Sequence, residues 1–136
     1  MLRKIDADTN ILTWFELPVL DTQRAKTFYE TILDIQMSTR SFPETDEELT
    51  FFPSHPGVIQ ATSGRVTGAL VRSPAAKPSL TGTLVYLNAS PVLQTVLDRV
   101  EAAGGSILNG ISPIPAGLIA IIRDTEGNRV ALHAEA

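Results

Sequence analysis

The chain has 136 residues, of which 11 are basic and 15 acidic, and its formal net charge is −4. A chain of this length can form one compact domain that buries roughly two-thirds of its unfolded surface. No run of basic residues is longer than a pair, and no stretch approaches the roughly 20 apolar residues of a membrane span. The first residues lack an apolar signal core. We therefore expect a cytoplasmic protein that binds neither nucleic acid nor membrane. The absence of cysteine excludes disulfides and thiolate chemistry.

The first predicted elements are a strand, a helix and three more strands. Residues 11–19 alternate between two faces, as a strand does. Five apolar residues then recur at helical spacing and form one stripe: Ala25, Phe28, Tyr29, Ile32 and Leu33. Asp21 is placed to cap this helix. Strands are predicted over residues 35–40, 48–52 and 65–72, which gives the order βαβββ.

The same order is repeated about 70 residues later, after a proline-containing linker at residues 73–80. A strand over residues 81–88 is followed by a helix with Ser90 as its cap and Pro91 at its first position. The last three strands are predicted over residues 106–109, 118–123 and 129–134.

The doubled order predicts both the fold class and the domain organisation. We expect an α+β fold with a single domain over residues 1–136. Its two modules lie at approximately residues 9–72 and 81–136. A chain of two similar halves is expected to place its function on the surface that the halves share.

Three short motifs resemble the vicinal oxygen chelate superfamily, which includes glyoxalase I, bleomycin resistance proteins and extradiol dioxygenases. The motifs are residues 17–21 continuing into residues 24–30, then residues 101–105, then residues 124–132. Their order and spacing are typical of that superfamily. The resemblance implies two tandem βαβββ modules whose mixed sheets curl around a cleft, usually within a homodimer.

The resemblance also implies where a metal would be bound. Members of the superfamily normally hold a divalent metal with His, Gln or Glu side chains from the first and last strands of each module. The corresponding positions here are Trp14, Leu84, Ala131 and one of residues 66–69, and none is a usual metal ligand. We therefore expect no metal and no other cofactor.

Two polar residues keep a displaced metal site as an alternative hypothesis. Glu16 is two residues beyond Trp14 and His133 is two beyond Ala131, so each shares a strand face with a usual ligand position. The displacement along the strand is about 7 Å, at a rise of about 3.3 Å per residue. The alternative for His133 is a solvated residue at the end of a strand.

Strand alternation groups the candidate ligand-binding residues: Trp14, Glu16, Tyr86, Asn88 and His133. The ring of Trp14 would form a flat wall against which a ligand ring stacks. If Glu16 is enclosed beside that ring, it is a candidate catalytic base, or an acceptor for a ligand amine. The alternative for Glu16 is an exposed or salt-bridged carboxylate.

These patterns favour two functions. The first is a glyoxalase/bleomycin-resistance-like protein that binds a small organic molecule in an aromatic-lined cleft without metal. The second is an enzyme, a lyase or isomerase related to lactoylglutathione lyase, that uses Glu16 as its base or a displaced metal. In both cases the expected partners are a small-molecule ligand and a second copy of the chain.

Overall fold

The computed structural model describes residues 4–136 and contains two four-stranded sheets, each with one helix. The first half comprises β1 (Phe15–Pro18), α1 (Thr22–Leu33), β2 (Ser38–Phe42), β3 (Glu47–Phe51) and β4 (Gly68–Arg72). The second half comprises β5 (Tyr86–Asn88), α2 (Leu93–Val100), β6 (Ser106–Ile114), β7 (Gly117–Arg123) and β8 (Arg129–Ala134). Each half has the order βαβββ, so the predicted α+β fold with two modules is confirmed.

Both sheets have the same topology. Their strand orders are β1-β4-β3-β2 and β5-β8-β7-β6. The first strand of each module pairs in parallel with the last, whereas the other pairs are antiparallel. The sheets are therefore mixed, and β1 and β5 each leave one edge unpaired within the described chain.

The first strand of each module is shorter than the range predicted from the sequence. β1 begins at Phe15, which pairs with Gly68, and β5 begins at Tyr86, which pairs with Ala131. The preceding residues, 11–14 and 81–85, have no partner strand in a ladder within the described chain. β6 is longer than predicted, because its pairing with β7 continues past two register shifts.

The first helix begins where the sequence predicts, and the second does not. The Asp21 side chain accepts a hydrogen bond from the Arg24 backbone N–H at 2.9 Å. The predicted cap at Ser90 is wrong, because α2 begins only at Leu93. The Ser90 backbone N–H is bonded to the Asn88 side chain at 2.9 Å, which holds the chain in a turn. The Leu93 N–H is bonded to the carbonyl of Ala136 at 2.8 Å, so a main-chain oxygen takes the place of a side-chain cap.

One hydrophobic core is shared by both modules. Residues of β1 and α1 form a single buried cluster with residues of β5, α2, β7 and β8. On the strands that begin the two modules, Leu17 and Leu87 are buried, and Phe15 and Val85 are partly buried against the cluster. Gly68 is required under Phe15, because a Cβ there would lie 2.2 Å from the Phe15 carbonyl oxygen.

Glu126, in the turn between β7 and β8, links the two modules by hydrogen bonds. Its side chain is fully buried and accepts hydrogen bonds from the backbone N–H groups of Leu20 and Asp21, both at 2.8 Å. The Arg24 guanidinium donates to both of its oxygens, at 2.7 Å and 3.0 Å. Burial alone would raise the pKa of Glu126, but hydrogen bonds from Arg24 and these backbone groups outweigh it and lower the pKa below 4.5.

A second buried carboxylate shapes the same turn. Asp124 accepts hydrogen bonds from the Tyr29 hydroxyl at 2.6 Å and from the Asn128 side chain at 3.0 Å. Burial, together with Asp124, raises the pKa of Tyr29 well above 10.0, so its hydroxyl stays a donor. Gly127 has a φ of 97°, a left-handed conformation that favours glycine. Asn128 also donates to the Pro18 carbonyl at 2.7 Å, which fixes the start of β8 beside β1.

No helix in the described part of the chain is long and apolar enough to cross a membrane.

Replacing Glu126 with Gln should lower the free energy of unfolding at pH 7 by about 2 kcal/mol, because charged hydrogen bonds to a buried group are weakened. The folded state lowers the pKa of Glu126. The contribution of its charge to the free energy of unfolding is therefore complete above pH 4.5 and is lost as the pH falls through the folded-state pKa. Denaturant unfolding of wild type and Glu126→Gln at pH 7 and pH 3 should therefore give curves that converge at the lower pH. Asp46→Asn is the matched control, since Asp46 forms an exposed pair with Arg72. A difference at pH 3 as large as at pH 7 would contradict the ionic role of Glu126.

Candidate functional site

A cavity of about 360 Å³ lies between the two modules, beside the free edge of β1. One wall is formed by residues 12 and 14–18. The other is formed by residues of the linker and of the approach to β5, namely 77, 79, 82, 83 and 85, together with Asn128 and Arg129. The size is within the range of about 300–1,000 Å³ that small-molecule sites have.

Trp14 and Glu16 meet on the β1 wall of this cavity. The Trp14 indole N–H donates to the Glu16 carboxylate at 3.2 Å, and both residues line the cavity. The Trp14 side chain is 38% exposed, and its ring lies 6.1 Å from that of Phe51. Trp14 directly precedes β1 and Glu16 lies within it, and the hydrogen bond between them brings their side chains together. The pair presents an aromatic surface and a carboxylate at the same place.

Two cations on the opposite wall were not among the residues singled out from the sequence. Lys77 and Arg129 both line the cavity. The Arg129 Nε is buried and has no hydrogen-bond partner among the described residues, while Nη2 donates to the Gly82 carbonyl at a long 3.5 Å. Strand alternation along β8 could have identified Arg129 from the sequence, because Arg129 lies two residues before Ala131 on the same face. Lys77 lies in a linker without regular structure, so no periodic signal marks it.

The other three candidate residues lie on the second sheet, outside the lining of this cavity. Tyr86 is 53% exposed and pairs with Ala131, and Asn88 pairs with His133. The Asn88 side chain accepts the hydrogen bond of the Ser90 N–H, and His133 Nε2 lies 2.9 Å from the Ala116 carbonyl oxygen. Trp14 and Glu16 are therefore brought together, and Tyr86, Asn88 and His133 form a separate group.

The residues present do not fit the divalent metal that the superfamily normally holds. Ala131 is completely buried and offers no donor, and the Glu16 position on β1 is flanked by Ala69. Between residues 4 and 136, no three His, Cys, Asp or Glu side chains are grouped as a metal site requires. Glu16 lines the cavity while His133 lies outside it on the other sheet, so they do not form the displaced pair.

Comparison with known proteins agrees with this architecture. The structure matches a glyoxalase/bleomycin resistance protein from Albidiferax ferrireducens T118 with a TM-score of 0.65 at 17% identity, covering 90% of this chain and 97% of that one. It matches a glyoxylase/bleomycin resistance protein/dioxygenase domain from Frankia sp. EAN1pec with a TM-score of 0.65 at 18% identity, covering 92% and 97%. Such identities establish the fold alone.

Glyoxalase I from Zea mays also matches, with a TM-score of 0.63 at 18% identity over 91% of this chain. The chain spans 46% of the maize protein, so it corresponds to about half of that enzyme. No protein among the curated sequences matches significantly. The family model that matches covers residues 11–132 and describes the Glyoxalase/Bleomycin resistance protein/Dioxygenase superfamily. The chain therefore belongs to this superfamily, as its sequence motifs, its doubled βαβββ order and its fold all indicate.

Proposed function

We propose that this protein binds a small organic molecule with a planar ring in the cavity between its modules, without a metal ion. The observation that carries the proposal is the Trp14–Glu16 pair on the cavity wall. A partly exposed indole ring offers a large contact area to a ligand ring at low conformational cost. The carboxylate beside it is held in one orientation by the indole N–H, so it can accept a hydrogen bond from a ligand donor.

An enzymatic role for Glu16 is the second candidate, as a lyase or isomerase related to lactoylglutathione lyase. It is favoured by one observation: among residues 4–136, only one oxygen of Glu16 is engaged in a hydrogen bond, while the residue lines the cavity. Glu16 is exposed and not enclosed beside the ring, and its carboxylate could accept a proton from a carbon acid that is bound against Trp14. Glu16→Gln would then abolish turnover while leaving ligand affinity nearly unchanged. A binding protein would show no turnover in either form.

Trp14→Ala should weaken binding of a planar ligand about tenfold to a hundredfold, because stacking and burial of the ring contribute about 1 to 3 kcal/mol. The probe is 2-naphthamide, titrated by calorimetry. Because Trp14 is the single tryptophan of the sequence, its indole N–H resonance should shift in wild-type protein when the probe binds.

The matched control is Ile32→Val, on the buried face of α1. It should lower the free energy of unfolding by about 1 kcal/mol without changing affinity for the probe. Binding that persists unchanged in Trp14→Ala, or that leaves the indole resonance unmoved, would contradict the assignment of this cavity.

Protein purified without chelators should contain no stoichiometric divalent metal, since Trp14, Leu84 and Ala131 lack donor groups. Elemental analysis measures this directly. One equivalent of Ni, Zn, Fe or Mn per chain, lost in Glu16→Gln or His133→Gln, would overturn the metal-free proposal.

We also propose that the protein is a homodimer in which β6 is covered by a second copy. β6 is a nine-residue edge strand without charged residues. Four of its large apolar side chains are 37% to 44% exposed: Ile107, Leu108, Ile111 and Ile114. Uncovered edges of this kind promote association, which natural proteins prevent with charges or by covering the edge.

Sedimentation at micromolar concentration should give a species of twice the 14.7 kDa chain mass. Leu108→Asp should shift it to the monomer, because a charge on the edge opposes burial. Ile59→Asp is the control, since Ile59 is an exposed apolar residue in a loop. A wild-type monomer, or equal dissociation by both variants, would contradict the proposed dimer.

A further inference from the structure

We infer that the ligand of this cavity is a monoanion, a carboxylate attached to or near its planar ring, bound by Arg129 with the help of Lys77. The inference rests on the proposed function, because it names the chemical class of the ligand for the same cavity.

Most hydrogen-bond donors of the Arg129 guanidinium have no acceptor among the described residues. Its Nε is buried without a partner in the described chain, and its one side-chain hydrogen bond is the long contact of Nη2 with the Gly82 carbonyl. A buried donor on a charged group is costly when it is unpaired. Because Nε has no surface open to the cavity, a ligand would meet the guanidinium at its terminal nitrogens, and the two oxygens of a carboxylate match that planar fork with two parallel N–H bonds.

The charges that line the cavity are not paired with one another. No ion pair of Glu16, Lys77 or Arg129 is present in the described chain, whereas Arg24 and Arg72 each have a carboxylate partner. Glu16 is bonded instead to the Trp14 indole. The positive charge of the opposite wall is therefore available to a ligand.

The balance of these charges indicates a monoanion. Two cations and one carboxylate line the cavity, which leaves one unit of positive charge. This local excess stands out in a chain whose formal net charge is −4. A cationic ligand would face both Lys77 and Arg129, and a neutral one would leave Arg129 without its acceptor.

The placement of these residues around the cavity indicates how such a ligand would lie. Trp14 and Glu16 belong to the β1 wall, and Arg129 belongs to the start of β8 across the cavity. A ring stacked on the indole would therefore direct its carboxylate away from Glu16 and toward the guanidinium. A hydrogen-bond donor on the near side of the ring would face the Glu16 carboxylate.

The test compares three probes of one shape: 2-naphthoate, 2-naphthamide and 2-naphthylmethylammonium. Calorimetry gives the affinity, and the Trp14 indole resonance reports occupancy of the cavity. We expect 2-naphthoate to bind about tenfold to a hundredfold more tightly than 2-naphthamide, as for a hydrogen bond to a charged group. The ammonium probe should bind most weakly.

Arg129→Gln should remove this preference while retaining affinity for 2-naphthamide, and Arg129→Lys should keep part of it. Lys77→Gln should also reduce the preference for 2-naphthoate. Because Lys77 lies in the linker, this variant still tests the role of the cations if the Arg129 variants fail to fold. Arg65→Gln is the control, because Arg65 is an exposed loop residue outside the cavity lining.

Three outcomes would count against the inference. Equal binding of 2-naphthoate and 2-naphthamide overturns the anion preference and leaves the proposed binding function in place. A preference that survives in both Arg129→Gln and Lys77→Gln overturns the assignment of these cations. If no probe binds or shifts the Trp14 resonance, the proposed binding function fails and the inference fails with it.

Discussion

The hydrogen bonds accepted by the buried Glu126 carboxylate determine how the two modules sit against each other. Four of them come from the first module: two from the Arg24 guanidinium and two from the backbone N–H groups of Leu20 and Asp21. Removing a carboxylate from water is unfavourable unless its oxygens are fully bonded. The turn that carries Glu126 is therefore held at the junction of β1 and α1, and a shift of either module would leave a buried charge unpaired.

The position of the cavity follows from this constraint. Asn128, two residues after Glu126, is bonded to the Pro18 carbonyl, and Arg129 follows as the first residue of β8. β1 carries Glu16, and Trp14 directly precedes this strand, so both residues lie on the other wall of the cavity. The same turn thus joins the modules and places Arg129 in the lining of the cavity that Trp14 also lines. Because the walls belong to different halves of the chain, the cavity exists only when the halves are docked.

Membership of the superfamily establishes the fold and leaves the chemistry to the individual side chains. The positions at which relatives of this kind normally hold a metal are occupied here by Trp14, Leu84 and Ala131. The indole at the first of these positions replaces a donor with a large apolar surface, and the alanine removes a donor from β8. A large apolar ring in place of a donor suits ring stacking better than it suits a metal ion, and this is the physical reason for the proposed binding role.

The sequence by itself determined the modular plan. The apolar stripe of α1, the cap at Asp21 and the alternation at Leu17 and Leu87 are local signals, and local backbone geometry is enough to interpret them. The start of α2 could not be predicted in this way, since the carbonyl that satisfies Leu93 comes from Ala136, more than forty residues along the chain. The tertiary structure alone decided which polar residues meet. Tyr86, Asn88 and His133 share a sheet face with one another, while Trp14 and Glu16 share a cavity with Lys77 and Arg129. Alternation specifies the face of a strand on which a side chain lies. Which residues lie opposite one another across a gap depends on how two sheets dock, and docking is set by contacts between residues about 100 positions apart, such as Arg24 with the buried Glu126.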